Sequence, residues 1–140
     1  MITKEVEIKD FKIDENLYSR QIISFGMKTM EKISQLKILI FGLRGLGIEI
    51  AKDIIVSGPN QVTIFDSNKV KVEDLGSNFY LSKKDIGKRR DEACLQKLKK
   101  LNKYFTIDCL KDISNINNIK DIKNMIIGNY NVIVVSQFVQ

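Results

Sequence analysis

Residues 37–66, KILIFGLRGLGIEIAKDIIVSGPNQVTIFD, leave few folds open to the chain. The run KILIF at 37–41 is apolar, too short for a helix and closed by Gly42, which is the pattern of a strand buried on both faces. After a glycine cluster, Ile48, Ala51, Ile54 and Ile55 share one helical face, and Gly58 and Pro59 supply stop signals. QVTIF then repeats the strand pattern and ends on Asp66. A strand, a tight glycine turn, a helix and a second strand make a βαβ unit. The crossover returns the second strand in the direction of the first, so the unit predicts a mainly parallel sheet with helices on both faces.

The glycine cluster bears on what such a unit can bind. In the phosphate-binding pattern G-x-G-x-x-G of a Rossmann-like, doubly wound α/β fold, the first glycine permits the tight turn and the second lets a pyrophosphate approach the backbone. The third allows close packing of helix on strand. Gly42 and Gly47 stand in the first and third positions, Arg44 stands in the second, and Gly45 follows one position late. Two readings stay open. In one, the site works in modified form: the Arg44 guanidinium pairs with phosphate oxygens and Asp66 accepts a ribose hydroxyl. In the other, the glycines survive for packing, no nucleotide binds, and Asp66 only ends a strand at a polar turn. A Cβ and a long side chain at the closest approach obstruct the backbone N–H groups that phosphate needs, which favours the second reading.

The rest of the chain suits the same architecture. Residues 14–32 carry a broken helical period through Leu17, Ile22, Ile23, Phe25, Met27 and Met30, which predicts two short helices with a bend at Gly26. Residues 67–84 hold no clean period and read as a long irregular connection. Asp85 is placed to cap a helix over 86–101, whose Ala93, Leu95, Leu98 and Leu101 make an apolar stripe. FTIDCL and NVIVV read as a third and a fourth strand, with the polar, asparagine-rich 111–129 between them as a short helix or loop. Residues 1–13 are then an N-terminal extension and 14–140 one domain, expected to be truncated at its C-terminus.

Composition removes several chemistries. The 140 residues include no histidine, so catalytic triads, histidine zinc sites and imidazole acid–base catalysis fall away. Cys94 and Cys109 are too few and too far apart for a metal knuckle or a disulfide framework, and read as free buried thiols. No signal-like run opens the chain and no segment nears the roughly 18 apolar residues of a membrane span, so an intracellular soluble protein is expected. The formal charge is +6, but the basic residues of SKKDIGKRRDEACLQKLKKLNKYF alternate with apolar ones at helical spacing. A solvated helix face accounts for them without a nucleic-acid partner.

Taken together, IDENLYSRQ, FGLRGLGIEIAKDIIVSG, VTIFD with the following VKVEDLGSNFYL, and KKDIGKRRDEACLQKLKKLN resemble the adenylating enzymes that activate ubiquitin and its relatives, from Ile13 to about Val135. The resemblance implies an enzyme built from two related halves, only one of which carries ATP and Mg chemistry. The catalytic half resembles D-x-D-x-I-x-x-S-N-L-N-R-Q-F-L-F after its second strand. Here the first acid survives as Asp66, but Asn68 replaces the second acid, Asp74 the first asparagine, Gly76 the next asparagine and Ser77 the arginine. A hydroxyl at Ser77 cannot replace a fixed guanidinium in neutralising phosphate. Lys88 matches the lysine of the family's D-x-G-K segment, yet one cation does not rebuild the site.

By this resemblance the chain is an inactive adenylation half, with no cofactor in cis at Gly42, Arg44, Gly45, Gly47 and Asp66, and no metal. Arg20 in LYSRQ matches an arginine that, in the family, reaches across a pseudo-twofold interface to the ATP phosphates of the other half. The implied partners are the active half and ubiquitin or a ubiquitin-like protein, in cytoplasm and nucleus. The catalytic cysteine would lie outside this chain. The smaller subunit of the SUMO-activating heterodimer has a closely related half and is one alternative. A free-standing NAD-binding Rossmann domain is another, and a self-dimerising adenylating enzyme for sulfur-carrier proteins a third.

Overall fold

Parallel strands buried on both faces must be apolar along their length, and the two best such runs in the chain lie side by side at the centre of the sheet. A computed structural model of the chain describes residues 16, 19–103, 105–110 and 119–136. Strands β1 (Lys37–Phe41), β2 (Gln61–Phe65), β3 (Thr106–Cys109) and β4 (Val132–Val135) form a four-stranded sheet in the order β3-β2-β1-β4. Every pairing is parallel, with Ile40 opposite Ile64 on one side and Val134 on the other. Because β1 is central, the chain runs from it outward in both directions, as a doubly wound fold requires.

Helices fill the crossovers. Two short ones, α1 (Ser19–Phe25) and α2 (Met27–Ile33), are separated by Gly26, as the broken period predicts. Helix α3 (Gly45–Val56) joins β1 to β2 and buries Gly47, Ile48, Ala51 and Ile55. Helix α4 (Arg90–Leu98) precedes β3, and α5 (Ile119–Asn129) precedes β4. The core gathers Ile38, Ile40, Val62, Ile64 and Ile107 from the sheet, Ile48, Ala51 and Ile55 from α3, and Cys94 and Leu98 from α4. Each valine, leucine or isoleucine side chain among them contributes roughly 1.5–3 kcal/mol when fully removed from water, before ordering costs.

Several boundaries differ from the sequence expectation. Asp85 does not cap a helix over 86–101: it ends a short 3-10 turn (Lys83–Asp85), where its carboxylate accepts from the Ser82 N–H and hydroxyl. Helix α4 starts only at Arg90, because Gly87 takes φ 88 and the Lys88 carbonyl accepts from Val70 N. That left-handed residue and the pairing of 87–89 with 69–70 pull the chain out of helical conformation. The connection after β2 is irregular apart from this turn and a second one, Val72–Gly76. Residues 111–118, part of the expected helix or loop before β4, lie outside the described residues, as do residues 1–13 of the expected N-terminal extension.

Gly47 shows how closely α3 must approach the sheet. A Cβ there would overlap the Gly42 carbonyl oxygen and crowd the Ser136 hydroxyl, whereas a Cβ at Gly76 would meet nothing within 4 Å. Gly47→Ala should therefore cost about 3–5 kcal/mol or prevent folding, while Gly76→Ala should stay within about 1 kcal/mol of wild type in urea unfolding. Equal costs at the two positions would refute this account of the close approach.

Candidate functional site

At the carboxyl ends of β1 and β2, where doubly wound sheets hold ligands, the glycine loop folds back on the sheet. Gly42 takes φ 88 and its N–H donates to the Phe65 carbonyl at 2.9 Å. Leu43 is fully buried, and its N–H donates to Asp66 Oδ2 at 2.8 Å. Arg44 is the extended residue before α3 and its side chain is about half exposed, at 53%. Gly45 opens α3, and a Cβ on it would lie 2.9 Å from Ser77 Cβ. The late glycine of the motif thus makes room for the segment that crosses over the loop.

Beneath that crossing lies a buried network of charges. Arg90, 2% exposed, donates through Nη1 to Asp66 Oδ2 at 2.8 Å and through Nε and Nη2 to Asp74 Oδ2 at 3.3 and 3.0 Å. Asp66 Oδ1 accepts from Asn68 N at 3.1 Å, so both of its oxygens are engaged inside the chain. Asp74 Oδ2 also accepts from Lys71 N at 2.8 Å, and Oδ1 stands 4.0 Å from Arg44 Nε. Asp91, fully buried, accepts from Asp66 N at 3.1 Å and forms a bidentate pair with Arg89 at 3.1 and 2.8 Å. The Arg89 guanidinium lies 5.7 Å from the Phe65 ring centroid, a cation–π distance. Asp91 sits in the first turn of α4, where a carboxylate is favoured by the helix dipole.

The protonation states follow from these contacts. Burial pushes the Asp74 carboxyl up, but the Lys71 N–H, Arg90 and Arg44 together outweigh it and hold its pKa below the ordinary 3.8. Burial likewise favours neutral Arg90, and the two carboxylates reverse this, raising its pKa. Burial pushes the thiols the same way, Cys94 to about 11 and Cys109 to about 12, so neither is a nucleophile at neutral pH. Both are free, Cys94 buried and Cys109 half-buried. Among the described residues no group of three His, Cys, Asp or Glu side chains is placed to hold a metal ion.

The predicted site residues separate into two places. Gly42, Arg44, Gly45, Gly47 and Asp66 come together at the loop. Arg20 does not join them: it is exposed on α1, and its neighbour Gln21 donates to the Val56 carbonyl at the far end of α3. That end is about 17 Å along the helix from Gly45. Lys88 pairs on the surface with Asp85 at 3.5 Å. Asp66 directly follows β2, which ends at Phe65, and it is the centre of the network and not a plain polar turn. The sequence reading missed Arg90 and Asp91 and took Asp74 only as a lost asparagine. A signal existed: Arg90, Cys94 and Leu98 recur every four residues on the buried stripe of α4, so a charge there needed buried partners.

Comparison with known proteins places this geometry. The model of the ThiF family matches residues 18–136. The ubiquitin-like modifier-activating enzyme 1 of Dictyostelium discoideum is 47% identical over 98 residues, 69% of this chain and 10% of that protein. The ubiquitin-activating enzyme E1 1 of Triticum aestivum is 44% identical over 98 residues, 70% of this chain and 9% of that protein. The chain thus spans about a tenth of the length of these relatives. Among solved structures, the E. coli tRNA N6-threonylcarbamoyladenosine dehydratase TcdA in complex with ATP superposes with a TM-score of 0.75 at 14% identity, over 89% of this chain and 50% of that one.

Two outcomes follow from the electrostatics. Because the folded pKa of Asp74 is depressed, its stabilisation is present above the unfolded value of 3.8 and is lost as pH falls through the lower folded value. Asp74→Asn should therefore be less stable at neutral pH, by about 1–3 kcal/mol, and lose less further stability between pH 4 and pH 2, roughly, in urea unfolding. A parallel acid dependence for both proteins would contradict this. Second, Cys94 should react with a thiol reagent near pH 8, roughly, at least about 10²-fold more slowly in the folded chain than in urea; equal rates would count against its burial.

Proposed function

The chain belongs to the ThiF family, and on that premise we propose that it is the inactive adenylation half of a ubiquitin-activating enzyme. In the whole enzyme, ATP and Mg would serve to adenylate the C-terminal carboxylate of ubiquitin, which then passes to a cysteine outside this chain. The half described here pairs with the active one in cytoplasm and nucleus, and lends it Arg20.

The observation that carries the reading is the self-satisfied loop. A ribose hydroxyl needs a carboxylate it can reach, but Asp66 is 2% exposed and both of its oxygens already accept inside the chain, from Leu43 N, Asn68 N and Arg90. A pyrophosphate needs bare backbone at the start of α3, but Ser77 packs on Gly45 there and Arg44 leans toward Asp74. The residues present do not fit a nucleotide in cis. The position of α1 supports the second part. Arg20 lies a helix length from its own loop, and the same helix turns Ile23, 84% exposed, and Phe25, 61% exposed, to solvent. Apolar surface beside a cation suits a helix that docks on a partner and carries the guanidinium to phosphates held there.

A SUMO-activating small subunit remains the nearest alternative in the same class, and the residues of the site suit either. The 44% and 46% identities to ubiquitin-activating enzymes of Triticum aestivum and Arabidopsis thaliana favour ubiquitin. A free-standing NAD-binding domain and a self-sufficient sulfur-carrier adenylating enzyme both need a working loop in this chain, which the engaged Asp66 and covered Gly45 disfavour.

Arg20→Ala in the full enzyme should slow ATP–pyrophosphate exchange by on the order of 10²-fold without loss of stability. Unchanged exchange would remove the role given to Arg20. Calorimetric titration of the 140-residue chain with NAD and with ATP should give no binding heat, and saturable binding of either would overturn the inactive-half reading.

A further inference from the structure

We propose that the Asp74 carboxylate is a built-in anion, filling from within the chain the place between Arg44 and Arg90 that a phosphate group would otherwise take. The inference rests on the inactive-half reading and says what closes the site: where the family pattern has an asparagine, this chain carries a permanent internal counter-ion.

The donor set around Asp74 is of the kind that recognises phosphate. Lys71 N donates to Oδ2 at 2.8 Å, Arg90 offers Nε and Nη2 at 3.3 and 3.0 Å, and Arg44 Nε approaches Oδ1 at 4.0 Å. A backbone N–H with guanidinium groups converging on one anion is the arrangement that holds phosphoryl oxygens. Its location agrees. Arg44 immediately precedes α3 and Gly45, and the short helix Val72–Gly76 that carries Asp74 leads directly to Ser77, which lies on Gly45. One segment therefore both roofs the glycine loop and lowers a carboxylate into the charges beneath it.

The charge balance sharpens the point. Arg90 is 2% exposed and is neutralised by Asp66 and Asp74, and Asp66 also serves the N–H groups of Leu43 and Asn68. Without Asp74, a buried guanidinium keeps a single carboxylate shared with two amides, while Arg44 loses the anion it faces. An under-compensated buried cation is unstable, and an anion from solvent relieves it. Access exists, because Arg44, Gly76 and Ser77 are all exposed around Asp74. The chemistry that fits is a phosphoryl group, whether inorganic phosphate or pyrophosphate, or the end of a nucleotide.

The test uses the 140-residue chain as wild type, D74A and D74A/R90M, the last removing the buried cation together with its anion. Thermal unfolding is followed at constant ionic strength while chloride is replaced by inorganic phosphate, with pyrophosphate and ATP in parallel series. D74A should melt below wild type in chloride and rise by about 5 °C or more in phosphate, while wild type and D74A/R90M move by less than about 1 °C. A larger rise with pyrophosphate or ATP would identify the preferred source of the phosphoryl group. If D74A is unfolded in chloride, recovery of native circular dichroism in phosphate supports the proposal and failure to recover overturns it. A flat response of folded D74A, or an equal rise in all three proteins, also overturns it. Nucleotide binding by the wild-type chain would instead strike the inactive-half reading, so the two failures are distinct.

Discussion

The structure depends on the guanidinium of Arg90, held out of water between Asp66 and Asp74. Taking such a charge from water costs several kcal/mol, and only good geometry with opposite charges close by makes the burial tolerable. Here Nη1, Nη2 and Nε all find carboxylate oxygens. Three stretches far apart in the chain meet at this point: the end of β2, the 3-10 turn after it and the first turn of α4. Asp66 extends the connection to the glycine loop through Leu43 N, and Asp91 with Arg89 secures the other side of the same junction. Removing one carboxylate leaves the buried guanidinium under-compensated, so the members of the network support one another.

That dependence gives each glycine of the loop a mechanical task. Gly42 makes the turn off β1 in a conformation that most residues avoid. Gly47 lets α3 lie against the Gly42 carbonyl. Gly45 admits the crossing segment through Ser77. A motif that in other proteins cradles phosphate serves here to bring helix, loop and crossing segment into contact. The loop is held in shape by the chain's own carboxylates, Asp66 through Leu43 N and Arg90, and Asp74 through Arg90.

Much of the fold was legible in the sequence. The two apolar runs, the helical face of α3 and the bend at Gly26 each rest on nearest-neighbour chemistry that period and turn residues report directly. Where the reading failed, the cause lay across the sheet. Helix α4 begins at Arg90, and not near Asp85, because 87–89 pair with 69–70, a contact no local propensity encodes. Asp66 drew attention for its place in a motif, but its partners, Leu43, Asn68 and Arg90, span from two to twenty-four positions away along the chain. Arg90 and Asp91 were hidden within a basic, lysine-rich stretch that reads as solvated surface. Only their spacing with Cys94 and Leu98 betrayed a buried face.

The sequence by itself determined the parallel α/β architecture, because strand periodicity and the glycine turn are local and read in order along the chain, and the combined resemblance of four segments between Ile13 and Val135 pointed to the family. It also determined the absence of histidine chemistry. Only the tertiary structure decided what the glycine loop faces. The charges of Arg44, Asp66, Asp74 and Arg90 cancel in three dimensions through contacts set by how β2, the crossing segment and α4 pack together. Linear order carries no record of which charge meets which, and it is that pairing, not the motif, that ties the glycine loop to β2, the crossing segment and α4.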